Sequence, residues 1–227
     1  MSYRRFAVYY LPHMTEEWVR YCIAWLGWDA ETGRSIEHPP ADGLDLKKIT
    51  EAPRRYGLHA TLKPPFRLAE NQSAAGLQDQ FSALCTSLPP VMIERLEIRK
   101  LGRFLALCPA GDCVGISDLA AACVRELDRF RAPLLPSELE KRRASGLTAR
   151  QEGHLVRWGY PHVMDLFRFH ITLTEKLGKP ELRQVREKLR TDLEPLLQDS
   201  IPISDLALMG EDIDGRFHLI RRETLQG

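Results

Sequence analysis

Apolar side chains divide the chain into short alternating stretches and longer stretches with helical spacing. Residues 4–11 (RRFAVYYL) are β-branched or aromatic, which predicts a strand. In 15–27 (TEEWVRYCIAWLG) the apolar residues recur at helical intervals, with Thr15 as the cap and Gly27 as the stop. Residues 28–55 are rich in Gly, Pro and charge and read as an irregular connection. A strand is predicted over 58–68. A helix follows over 73–88, capped by Ser73 and stopped by Pro89-Pro90. Two strands, 91–99 and 103–109, surround a turn at Gly102, and 116–130 reads as a helix. Residues 136–152 are a polar helical excursion that leads into a strand at about 165–176. Pro180 opens a helix to about 198, and IPISDLALMG and GRFHLIRRE supply the last two strands.

The two halves repeat one order: strand, helix, strand, helix, strand, turn, strand, with 103–109 closing the first half and opening the second. HATL at 59–62 and HITL at 170–173 are offset by 111 positions. Leu96 and Ile98 match Leu206 and Leu208 at 110, and GRFLAL at 102 matches GRFHLI at 215, an offset of 113. Matched landmarks in the same order predict an internal duplication and two similar lobes facing each other. The whole chain, 1–227, is then one domain, with 133–162 as a helical insertion.

Alternation along a strand places His59, Thr61 and Lys63 on one face and Ala60, Leu62 and Pro64 behind. In the second copy Arg168, His170, Thr172 and Thr174 share a face, with Phe169, Ile171 and Leu173 behind. Residues two apart on a strand are separated by roughly 6.6 Å, so an imidazole and a hydroxyl can reach different atoms of one phosphate. In-line hydrolysis of a phosphodiester needs a base by the water and an acid by the departing oxygen. Histidine, with an ordinary pKa of about 6.5, supplies both forms near neutrality. The two Thr hydroxyls can bind the non-bridging oxygens, and Lys63 and Arg168 can offset the charge that builds there. Tyr56 is placed to stack on a base or to pack at the strand start.

The remaining composition narrows the reading. The formal net charge is +1, from 32 basic and 31 acidic residues, which argues against a long nucleic acid as partner but suits a small anionic substrate. Five cysteines without a CxxC pair argue for free thiols and a reducing, cytoplasmic setting. The apolar run before Pro12 is too short for a signal core or a membrane span. No HExxH or zinc-spaced Cys pair is present, so no metal and no cofactor are expected. GxSxG and a glycine-rich phosphate loop are also absent from the sequence. His13, His38, His154, His162 and His218 read as structural, with His162 close to the second motif.

The doubled His-x-Thr-Leu motif resembles the two-histidine (2H) phosphoesterase superfamily. That resemblance implies an α+β fold: duplicated, two-lobed antiparallel sheets with outer helices around a central cleft. It also implies His59, Thr61, His170 and Thr172 as catalytic residues and cyclic nucleotide phosphates or 2′–5′ linkages as substrates. YGLHATLKPPFRL, GRFLALCP, LVRWGYPHVMDLFRFHITLTEKL and AWLGWDAETG together resemble a bacterial branch of that superfamily. The branch is associated with phosphonate-utilisation (C–P lyase) operons, so a small ribose or nucleotide phosphodiester is the expected partner. A non-catalytic phosphate-binding module and a 2′–5′ RNA ligase-like activity are the competing readings. Arg142, Arg143, Gln151, Trp158 and Tyr160 of the insertion are candidates for a lid, with Tyr160 a candidate substrate contact; a packed decoration is the alternative.

Overall fold

A computed structural model describes residues 3–41, 43–197 and 199–227. The first half contains β1 (Arg5–Tyr10), α1 (Glu17–Leu26), the small hairpin β2 (Trp28–Asp29) and β3 (Arg34–Ser35), and the single turns α2 (Leu46–Ile49) and α3 (Glu51–Arg54). Then come β4 (Ala60–Phe66), α4 (Ala74–Ser87), β5 (Val91–Ile93), β6 (Leu96–Leu101) and β7 (Phe104–Pro109). The second half contains α5 (Val114–Glu126), α6 (Pro136–Arg143), α7 (Ala149–Trp158), β8 (Ile171–Thr172), α8 (Lys179–Asp192), β9 (Ile201–Ile203), β10 (Asp205–Glu211) and β11 (Phe217–Thr224). The architecture is α+β.

Seven strands form one sheet in the order β11-β10-β1-β4-β8-β7-β6, and every registered pair in it is antiparallel. Counting outward from the β4–β8 seam, β1 corresponds to β7 and β10 to β6, while β11 has no mate. The landmark at Leu96/Leu206 therefore maps onto matching positions. The GRF landmark does not: at 102 it leads into an inner strand, at 215 into the edge strand. Strands β5 and β9 pair in a separate two-stranded sheet, so the expected strand 91–99 is split.

β1 shows how the sheet divides the interior. Phe6, Val8 and Tyr10 point to a large core that includes Trp18, Ile23, Leu77, Phe81 and Leu119 from α1, α4 and α5. Ala7, Tyr9 and Leu11 point the other way, into a smaller cluster with Trp28, Ala30, Met209 and Phe217. Helices cover the first face, and the motif residues belong to the second.

Local chemistry explains several boundaries. Ser73 accepts from the Gly76 amide and caps α4, as expected. The cap of α1 is Glu16, without a side-chain bond, rather than Thr15. Gly27, at φ 77°, closes α1 through its N–H to the Ile23 carbonyl. The excursion is two helices because Gly146 breaks it and Thr148 with Gln151 forms a new capping box.

Candidate active site

β4 and β8 meet through one registered pair, Ala60↔Ile171. Both side chains are fully buried behind the sheet. Antiparallel counting from that pair sets His59 opposite Thr172 and Thr61 opposite His170. The two histidines thus occupy one diagonal of a four-residue square. Opposed Cβ atoms in such a ladder lie about 4.5–5.5 Å apart and diagonal neighbours about 7–8 Å.

The rings are anchored alike. His59 Nδ1 lies 3.0 Å from the Gly57 carbonyl oxygen, and His170 Nδ1 lies 2.8 Å from that of Arg168, in each case two residues back. A carbonyl only accepts, so each Nδ1 carries hydrogen and each neutral ring keeps its lone pair on Nε2. His59 Nε2 is 3.1 Å from the Thr61 hydroxyl, which donates to it. Gly57 makes this anchor possible: its φ is 73°, and a Cβ there would meet the Ala30 Cβ at 2.7 Å.

Tyr9 packs on the His59 ring with centroids 4.0 Å apart, and Tyr56 stacks on it at 5.7 Å. Phe217 closes the group at 5.6 Å from Tyr9 and 5.1 Å from Tyr56. Burial among these rings lowers the His59 pKa to about 4; the Gly57 carbonyl opposes that shift and the charge of His170 adds to it. Each imidazole therefore lies within the field of the other. Phe104, 6.1 Å away, flanks His170.

Two expected contacts lie elsewhere. Lys63 is 2% exposed and does not share the histidine face. The register runs Tyr9↔Thr61 and then Val8↔Lys63, so Leu62 is an extra residue in a β-bulge. The bulge turns Lys63 to the helix side, where Nζ donates to the Val124 carbonyl at 3.1 Å and lies 3.7 Å from Asp128. Burial lowers its pKa to about 8, with Asp128 opposing. Thr174 is also displaced, because β8 ends at Thr172 instead of running to 176. It is 1% exposed; its hydroxyl accepts from the Leu105 amide at 3.0 Å and donates to the Glu175 carbonyl at 2.9 Å. That is structural work.

Arg168 is exposed, and Thr61 and Thr172 are half-buried. Of the insertion residues, Arg142 lies over the Tyr160 ring at 4.7 Å. Burial raises the Tyr160 pKa, Arg142 lowers it and Tyr56 raises it further, which links this ring to the His59 side. Arg143 pairs with Glu152, Gln151 belongs to the cap of α7, and Trp158 carries Arg157 on its face. His13, His154 and His218 each bond a carboxylate, and His38 bonds the Trp25 carbonyl. His162 is exposed and touches Tyr160 at 5.9 Å. Partial burial lowers its pKa, followed by the charges of Arg168, Arg142 and His170. Sequence reading missed Tyr9 and Phe217. Their signal was an aromatic among apolar residues in a strand, which serves a core equally well.

Among the described residues no group of three or more His, Cys, Asp or Glu is placed to hold a metal ion. All five cysteines are free thiols. No helix among the described residues is long and apolar enough to cross a membrane.

Residues 61–218 match the model of the DUF1045 family, described as a protein of unknown function. Two curated relatives both carry the name ribose 1,5-bisphosphate phosphokinase PhnN. That of Janthinobacterium sp. (strain Marseille) is 38% identical over 179 residues, which are 78% of this chain and 40% of the relative. That of Laribacter hongkongensis (strain HLHK9) is 32% identical over 219 residues, 96% of this chain and 51% of the relative. The chain thus spans about half the length of these relatives or less. Similar solved structures include E. coli LigT in apo form, with TM-score 0.49, 15% identity and 100% of each chain covered. TT0787 of Thermus thermophilus also has TM-score 0.49 and 15% identity, with 98% of each chain covered.

Proposed function

The chain belongs to the DUF1045 family, and we propose that it is a metal-independent phosphodiesterase acting on a small cyclic or linear ribose or nucleotide phosphodiester. The observation that carries this reading is the matched anchoring of the two rings. Each Nδ1 is held by the carbonyl two residues back, and the register at Ala60↔Ile171 sets both residues on one face of the sheet, which supports a shared role for the two Nε2 atoms.

In this reading His59, neutral with its pKa near 4, is the general base, and His170 is the general acid. Water attacks phosphorus; His59 Nε2 takes its proton, and His170 Nε2 gives a proton to the oxygen that leaves. One P–O bond forms, one breaks, and hydrolysis leaves a phosphomonoester and a freed hydroxyl, on one molecule for a cyclic diester and on two for a linear one. Thr61 turns its hydroxyl from His59 to a non-bridging oxygen, and Thr172 binds the other from across the seam. Tyr56 and Tyr160 line the approach and Arg168 offsets charge. Phosphonate use is the metabolic setting that the resemblance of the motifs suggests.

The relatives are named as kinases, but this chain spans 40% of one and 51% of the other. A glycine-rich phosphate loop is absent from its sequence. We assign the named kinase activity to the portion of those relatives that this chain does not cover. Purified protein should hydrolyse members of a panel of ribose and nucleotide cyclic phosphates with EDTA present. His59→Ala and His170→Ala should each lower kcat at least 100-fold, from the loss of one positioned acid or base. Tight binding with no product would favour a phosphate-binding module instead.

A further inference from the structure

The insertion brings Arg142 and His162 together at Tyr160. Arg142, on α6, lies over Tyr160, and His162 meets the edge of the same ring. Arg168 is tied to the catalytic centre through its own carbonyl, which holds His170. These groups feel one another: Arg168, Arg142 and His170 all depress the protonation of His162.

What separates Arg142 and Arg168 from neighbouring surface arginines is the kind of partner they have: neither is in a carboxylate ion pair among the described residues. Arg143, next in sequence, pairs with Glu152, and Arg150 on α7 pairs with Asp165. Glu138, one turn before Arg142, is in ion-pair contact with Arg67; burial raises its pKa, the Leu135 amide and Arg67 lower it, and Arg142 reaches it only through a weaker long-range field that adds to the lowering. Among the described residues neither the Arg142 nor the Arg168 guanidinium is in ion-pair contact with a carboxylate. Two planar forks beside an imidazole suit the several oxygens of a phosphate monoester, which guanidinium binds in bidentate fashion.

We infer that Arg142, His162 and Arg168 form a second phosphate subsite next to His170, which holds a phosphomonoester on a substrate whose diester lies between the two motifs. The substrate class is then a ribose cyclic phosphodiester carrying a further phosphate. This assignment rests on the phosphodiesterase reading. Water added across one P–O bond of such a compound yields a ribose with two phosphomonoesters and one freed hydroxyl. Ribose 1,5-bisphosphate, in the printed names of the relatives, is a compound of that class. A kinase for a bisphosphorylated ribose would consume the product.

The test uses ribose 5-phosphate as a probe that has no diester to cleave. Calorimetry should show it binding at least tenfold more weakly to Arg142→Gln and Arg168→Gln than to the unaltered protein. Matched cyclic phosphodiesters with and without a 5-phosphate should differ at least tenfold in kcat/KM, and that ratio should fall toward one in both Arg variants. Probe binding that ignores both Arg substitutions, or a ratio near one in the unaltered protein, overturns the subsite. If no diester is cleaved at all, the phosphodiesterase reading fails, whereas Arg-dependent binding of the probe still supports the subsite.

Discussion

The surroundings of the half-buried His59 bear on stability as well as on its proposed role. Its pKa near 4 arises mainly from burial, with Tyr9 and Tyr56 against the ring, and with a smaller contribution from His170. An unfolded histidine titrates near 6.5. Between those values the unfolded chain binds the proton and the native one does not, so this residue makes stability fall as pH drops from about 6.5 to about 4. Above 6.5 it contributes no slope. Thermal melts should show the loss, and His59→Gln should remove part of it; parallel curves for the two proteins would refute the assigned burial. Catalysis gives an independent check. A base that is already neutral sets the acid limb of kcat/KM near pH 4, below the ordinary histidine range. Tyr9→Phe keeps the ring that supports His59 and should retain turnover within about threefold, while Tyr9→Leu should lower kcat more than it raises KM.

Alternation in β4 is legible up to Thr61 and fails at the next residue. The sequence places His59, Thr61 and Lys63 on one face, but the extra residue in the Val8/Tyr9 register reverses that order. Pro64-Pro65 in an interior strand signals broken pairing nearby but not its position; the shift at Leu62 answers a need of the fold, since Lys63 reaches the C-terminal end of α5, where carbonyls and Asp128 receive a cation. Lys63→Met keeps most of the buried stem, and Asp128 retains Arg131 at 2.8 Å. Turnover should therefore stay within about twofold, at a stability cost of about 1.5–3 kcal/mol for the lost charged hydrogen bond. Thr174 illustrates the same limit on β8. HITLT reads as continuous alternation, yet the chain leaves the ladder after Thr172 to bond the Leu105 carbonyl. Thr174→Val would strand the Leu105 amide and cost about 1–3 kcal/mol. The melting temperature should drop by about 2–4 °C per kcal/mol, with kcat unchanged. A lost kcat in a folded Thr174→Val protein would return that hydroxyl to the site.

The doubling of the motif was legible because it is local in sequence and repeated; the joining of the halves was not, because it rests on one pair between strands far apart in the chain. β4 has a long partner in β1, but β8 is two residues long and meets β4 at Ala60↔Ile171. The insertion had a composition but no readable direction: Arg142 and Arg143 are adjacent, and packing sends one to Tyr160 and the other to Glu152. A phosphate held by both motifs would bridge the β4–β8 seam, and its binding energy would add to that weak joint. A ligand at 100 times its dissociation constant stabilises the native state by about 2.7 kcal/mol. Inorganic phosphate should therefore raise the melting temperature and slow hydrogen exchange at the amides of 60–62 and 171–173 together. In His59→Ala or His170→Ala the protection should weaken on both strands, because each histidine holds one side of the same anion. Protection confined to one strand, or lost on one strand alone when its own histidine is removed, would mean two separate anion sites and no shared phosphorus between the rings.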